Sequence, residues 1–156
     1  MTDAETAHST EADPRAADAE QLESGRYWAM IGIETISAVD GEAVCRVELR
    51  DDHFNYNDVV HGGVTSGLID SAAGSAVRSR RTLEDIAARP HATTDLHVSY
   101  LAAARGNTLT ATARVIRMTR TAVFTEVDVH DGDDRLVARG LVTFVITQGP
   151  PVRDRT

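Results

Sequence analysis

Asn55, the run His61-Gly62-Gly63 and Asp70 are the residues of this chain whose types and spacing could do chemistry together. Two glycines at the start of a helix leave backbone N–H groups unpaired, with no side chain to shield them. Helix N-termini favour negative charge, so such a start can hold an oxygen that becomes negative during a reaction. The plainer reading is that the glycines only let a loop turn into a helix. Asp70 lies inside LIDSAAGS, nearly two turns into the least polar helical stretch of the sequence. A carboxylate there must find partners or a solvent-filled cleft, because an unpaired buried charge is very costly. Its plainer reading is a hydrogen bond from helix to neighbouring element. A base or nucleophile facing water beside an oxyanion site suits hydrolysis of an ester or thioester.

Other constellations are weaker. Ser66 and Ser71 lie near glycines, but no G-x-S-x-G elbow frames either one. His91, Asp95 and His97 match no metal-ligand spacing, so no metal is expected. Residues 131–134, DGDD, read as a hairpin turn rather than a calcium loop, and no phosphate-cradling or dinucleotide fingerprint occurs. The single cysteine, Cys45, cannot close an internal disulfide and falls on the apolar side of an alternating stretch, as a small core residue does.

The elements that must position these residues follow from periodicity. In residues 61–81, Val64, Leu68, Ile69, Ala72, Ala73, Ala76 and Val77 recur at helical spacing, and Gly, Ser and Ala fill most other positions. The pattern predicts one narrow helix. Before it, a short partly apolar segment with Leu22, Tyr27, Trp28 and Met30 reads as a helix leading into a first strand. Strands are expected over 31–39 and 43–49, joined at Asp40-Gly41, with a polar loop over 51–60. After a loop holding Pro90, four more strands are expected near 92–101, 108–119, 122–130 and 135–147. Successive hairpin-type turns argue for an antiparallel sheet, and one helix against such a sheet is an α+β arrangement in which the sheet wraps the helix.

Length and charge set the outer bounds. The chain has 156 residues, 42% apolar and 26% charged, which suits one domain. Its net charge of −8 argues against a nucleic-acid partner. Seven acids and one base fall within residues 1–25, so the acidity belongs to an N-terminal tail (1–24) that is expected to be disordered. Residues 25–148 form the expected domain and 149–156 a closing tail. No apolar run approaches the ~18 residues of a membrane-spanning helix, and the start lacks the basic and apolar pattern of a secretory signal. A cytoplasmic location without a membrane partner is expected.

The run Asn55-x5-His61-Gly62-Gly63-x6-Asp70, with this element order, resembles the signature of hotdog-fold acyl-CoA thioesterases. The likeness is to the PaaI-like branch of the 4-hydroxybenzoyl-CoA thioesterase superfamily and covers about residues 25–148. It implies a hotdog fold, a curved antiparallel sheet around one central helix, and an acyl-CoA substrate cleaved to free acid and coenzyme A. On that resemblance Asp70 is the general base or nucleophile, and the Gly62 N–H binds the thioester carbonyl oxygen. His61 holds or polarises that carbonyl or fixes the loop, and Asn55 orients the attacking water or a neighbour of Asp70. Thr93 positions water, with Thr94 a near neighbour of the same chemistry. The intervening YNDVV departs from the glycine-containing form of the family and leaves Asn57 as a rival to Asn55. No cofactor is implied, coenzyme A entering only as part of the substrate. A hydratase or dehydratase of the same fold, a non-catalytic acyl-CoA-binding module and a structural oligomerisation domain are the alternatives. The acyl group stays open, since Phe54, Tyr56, Tyr100 and Phe124 suit core or pocket equally.

Helix geometry adds one constraint. Gly62 and Asp70 lie about 12 Å apart along a helix at ~1.5 Å per residue, too far for one to serve a carbonyl held by the other. A second copy of the helix running antiparallel beside the first would bring each Asp70 to the other chain's Gly62. An obligate homodimer with composite sites is therefore expected, a homotetramer (dimer of dimers) being the larger form the resemblance implies.

Overall fold

The structure, a computed structural model, describes residues 26–149. The tail expected at 1–24, and that at 149–156 apart from Gly149, lie outside the described residues. Elements follow in the order α1 (Arg26–Ile31), β1 (Ile33–Val39), β2 (Glu42–Glu48), α2 (Gly62–Arg78), α3 (Leu83–Ala88), β3 (His91–Tyr100), β4 (Thr108–Met118), β5 (Ala122–Asp131) and β6 (Leu136–Ile146). The strands form one sheet in the order β1-β2-β4-β5-β6-β3, and every neighbouring pair is antiparallel.

Alternation along the strands decides which face meets the helix. Ala43, Cys45 and Val47 of β2, Leu109, Ala111 and Ala113 of β4, and Val123, Val127 and Val129 of β5 are buried. Helix α2 lays Val64, Leu68, Ile69, Ala72, Ala73, Ala76 and Val77 onto that face, the positions singled out by helical spacing. Burying a Leu or Ile such as Leu68 or Ile69 contributes about 1.5–3 kcal/mol. Gly140 of β6 sets how closely the helix approaches: a Cβ there would stand 2.5 Å from Ile69 Cγ2. Only glycine admits Ile69 at that depth, and Ile69 carries Asp70 beside it. The residues of α2 left outside the core form a narrow stripe of Gly62, Gly63, Ser66, Gly67, Asp70, Gly74 and Arg78.

The elements depart from the sequence reading chiefly at the first strand and after the long helix. Ile31, expected in the first strand, ends α1 instead, because Gly32 takes φ +75° and its N–H caps Trp28 O at 2.7 Å. Helix α3, which was not expected, forms between α2 and Pro90. Thr82 accepts the Asp85 N–H at 3.1 Å, and Arg81 pairs with Asp85 at 2.7 Å. Arg81 thereby serves the α2–α3 corner, and α2 stops at Arg78 rather than running to 81.

Candidate active site

The loop from Arg50 to His61 is closed at its neck by His53. This buried side chain accepts the Arg50 N–H through Nδ1 at 3.2 Å, and its carbonyl accepts the His61 N–H at 2.8 Å. Asn55 organises the tip: its Oδ1 accepts the N–H groups of Asn57 (2.9 Å) and Val59 (3.4 Å), and its backbone N–H donates to Val59 O at 2.9 Å. Asn57 enters this network through its backbone N–H. Asp58 adopts φ +55°, a left-handed conformation that glycine would fill without strain.

His61 is the N-cap of α2. Its Nδ1 accepts the Gly63 N–H at 2.9 Å, and its carbonyl accepts the Val64 N–H at 2.9 Å. Of the uses considered for His61, this geometry matches fixing the loop. Gly62 N–H, first in the helix, has no partner among the described residues and has the helix dipole behind it. Midway along the stripe, half-buried Asp70 accepts a hydrogen bond from Thr93 Oγ1 at 2.8 Å. Thr94 Oγ1 instead donates to Thr143 O at 3.1 Å. The two threonines part because the β3–β6 register slips between Thr93 and Asp95. Such a bulge re-aims a side chain, here towards the helix.

One chain thus places the candidate residues in two groups on one helix. Asn55, His61 and Gly62 gather at its start, Asp70 and Thr93 lie two turns on, and a separation of about 12 Å along the axis divides them. Beside Gly62 opens a cleft of about 430 Å³, lined by Val59, Val60, Thr65, Tyr100, Leu101 and Val137 with the alanines 102–104. No lining side chain is charged. The alanine wall is pinned to the β5–β6 turn: Arg135 Nη2 donates to Ala103 O at 2.6 Å and Arg105 N–H to Asp131 Oδ2 at 2.9 Å. Burial pushes the Asp131 carboxyl up, but the N–H groups of Arg135, Arg105 and Asp133 and the Arg135 guanidinium outweigh it and bring the pKa down to about 2. Tyr100, open between core and pocket in the sequence, belongs to this cleft. Phe54, Tyr56 and Phe124 are exposed outside its lining. Among the described residues no group of three or more His, Cys, Asp or Glu could hold a metal ion, and no helix is long and apolar enough to cross a membrane.

The strand order, the all-antiparallel register and the single long helix across the sheet define the hotdog fold, an α+β architecture. The E. coli PaaI protein of the phenylacetic acid degradation operon shares it, at a TM-score of 0.75 over 87% of this chain and 94% of that one, with 20% sequence identity. Residues 57–138 match the Thioesterase superfamily. The chain belongs to that family, and its class of activity is thioester hydrolysis. It is 38% identical over 125 residues to a Halobacterium salinarum protein that bears an esterase name, covering 74% of this chain and 81% of that one. Over 110 residues it is 27% identical to acyl-coenzyme A thioesterase 13 of Homo sapiens, covering 69% and 75%.

Proposed function

We propose that this protein hydrolyses an acyl-CoA to a free acid and coenzyme A, at sites built from two chains. The observation that carries the reading is one helix bearing an unpartnered N–H at Gly62 and a half-buried carboxylate at Asp70, two turns apart on its exposed stripe. The Gly62 N–H holds the thioester oxygen as it gains charge, which a fixed donor at a helix start does without reorganising. Asp70 acts as general base on water or as nucleophile on the carbonyl carbon, with Thr93 holding its carboxylate or the water in line. Asn55 and His61 keep the loop and first turn in the conformation that presents Gly62. Neither a metal ion nor an organic cofactor is required by this chemistry. The coenzyme A thioester as substrate is supported by the name of the human relative.

Two observations support the dimer. The helix stripe carries no side chain larger than Ser or Asp between Gly62 and Gly74, although Tyr27 of α1 covers it at Gly67, its hydroxyl set against the place a Cβ would take. Strand β3 ends the sheet with ten residues, none of them buried, and leaves one edge of backbone groups unpaired within the chain. Proteins seldom leave so long an edge bare. Antiparallel pairing of two β3 strands would cover that edge and set two copies of α2 side by side. The test is release of free thiol from a panel of acyl-CoAs. Turnover of at least one is expected, and no release from any of them would overturn the hydrolase reading.

A further inference from the structure

Two consecutive glycines make a poor mount for a catalytic N–H, because neither has a side chain to restrict its backbone. Something outside them must hold the peptide. From the loop side His61 supplies two bonds, its N–H to His53 O and its Nδ1 from the Gly63 N–H. A third comes from the sheet: Tyr100 Oη donates to Gly62 O at 3.0 Å. The Tyr100 ring also lies flush against Gly62, its Cζ and Oη 3.3 Å from where a Cβ would stand. Tyr100 closes β3, paired with Ala138 of β6, so its backbone is anchored in the ladder. The same strand donates to Asp70 through Thr93. Strand β3 therefore grips the exposed stripe of α2 at both of its chemical groups. Tyr100 is in addition part of the wall of the uncharged cleft that opens beside Gly62.

We propose that Tyr100 is a positioning residue: its hydroxyl holds the carbonyl of the Gly62–Gly63 peptide, which limits rotation at Gly62 and so keeps the N–H of the preceding peptide aimed at the thioester oxygen, while its ring sets which acyl groups reach that alignment. The inference rests on the hydrolase reading for its kinetic consequences, and on the hydrogen bond alone for its structural one. An acyl chain entering the cleft packs on the ring whose hydroxyl holds the oxyanion donor, so acyl fit and carbonyl alignment are linked through one side chain. Substrates that fill the cleft should gain in turnover, and not only in binding.

The experiment compares wild type with Tyr100→Phe and Tyr100→Leu, using acetyl-CoA, octanoyl-CoA and phenylacetyl-CoA as probes. Tyr100 is half-exposed, so both variants should fold, which thermal melting checks. Tyr100→Phe removes only the hydroxyl. Its kcat should fall about tenfold with KM changed less than about twofold, since misplacement of a reacting group by 1 Å can cost about 10²-fold. Tyr100→Leu should lose the same kcat and in addition alter the ranking of the three probes. Backbone amide resonances give the second readout: in Tyr100→Phe the Gly62 and Gly63 amides should shift, and the Gly63 amide, whose N–H His61 Nδ1 accepts, should exchange faster with solvent. An unchanged kcat in Tyr100→Phe, or a rise in KM alone, would overturn the positioning role. If wild type turns over none of the probes, the amides still decide whether Tyr100 holds the peptide, which separates failure of this inference from failure of the hydrolase reading.

Discussion

Asp70 is the one acid on a stripe made otherwise of Gly, Ser and Arg78, and its carboxylate is held by the Thr93 hydroxyl. Replacing it with Asn keeps the shape and the bond to Thr93 while removing charge and basicity. Asp70→Asn should lower kcat by roughly 10²–10⁴-fold with little change in melting temperature. Near-native thiol release from the best substrate would assign the chemistry elsewhere. On the proposed mechanism the backbone donor of Gly62 is what matters, and a side chain would displace it against the Tyr100 ring, 3.3 Å from a new Cβ. Gly62→Val should cost about 10²-fold in turnover, the scale of losing one oxyanion donor; a folded, fully active variant would contradict the assignment. Asn55, His61, Gly62 and Asp70 are the candidates the sequence offers, because their spacing along a loop and a helix resembles the family signature. Thr93 could not be told from Thr94, since a bulge breaks the alternation at that point. Nor did the sequence separate Tyr100 from the other aromatics, because a ring at a strand end reads the same in a core or a cleft.

At the scale of elements, β3 and α2 meet twice, and their far ends meet at His91. Its ring stacks edge-on to Phe144 at 5.3 Å, and its Nδ1 lies 3.5 Å from Arg81 Nη1. Burial, and then the charges of Arg78 and Arg81, lower the His91 pKa from 6.5 to about 4. The folded protein keeps His91 neutral between those values while the unfolded chain takes up a proton. The stability tied to His91 is therefore intact above about pH 6.5 and is lost as pH falls towards 4, on the order of 2–3 kcal/mol. Melting curves of wild type and His91→Gln between pH 7 and 4 check this. Wild type should lose several degrees more than the variant across that range, and parallel losses would show that His91 does not carry the effect. The strands and α2 were legible from period, 2 for the alternating strands and 3.6 for the helix, together with the turn residues between the strands. Helix α3 was not, because six residues show no period. The Thr82-x-x-Asp85 cap was its one local signal. Ile31 was drawn to the strand by its apolar neighbours, whereas the backbone of Gly32 assigns it to α1.

At the scale of the whole molecule, a single chain holds Gly62 and Asp70 too far apart to serve one carbonyl, and among the described residues its sheet ends in two edge strands, β1 and β3. The proposed two-fold operation pairs β3 with β3 and brings each Asp70 to the other chain's Gly62, each α2 running antiparallel to its mate. The fold was legible in the sequence because turns and periods are local. The expectation of a composite site rests on the helix rise, which separates Gly62 from Asp70 by about 12 Å. The most direct measurement is subunit complementation between Asp70→Ala and Asn55→Ala chains, each inactive alone, unfolded together in equal amounts and refolded. The Asn55→Ala chain has a damaged approach to Gly62 but an intact Asp70, and the Asp70→Ala chain is its converse. Half of the dimers should be mixed, each with one intact and one doubly damaged site, so activity should return to about a quarter of the native value. Activity no higher than that of the two variants separately, with mixed dimers confirmed by mass, would show that each site lies within one chain.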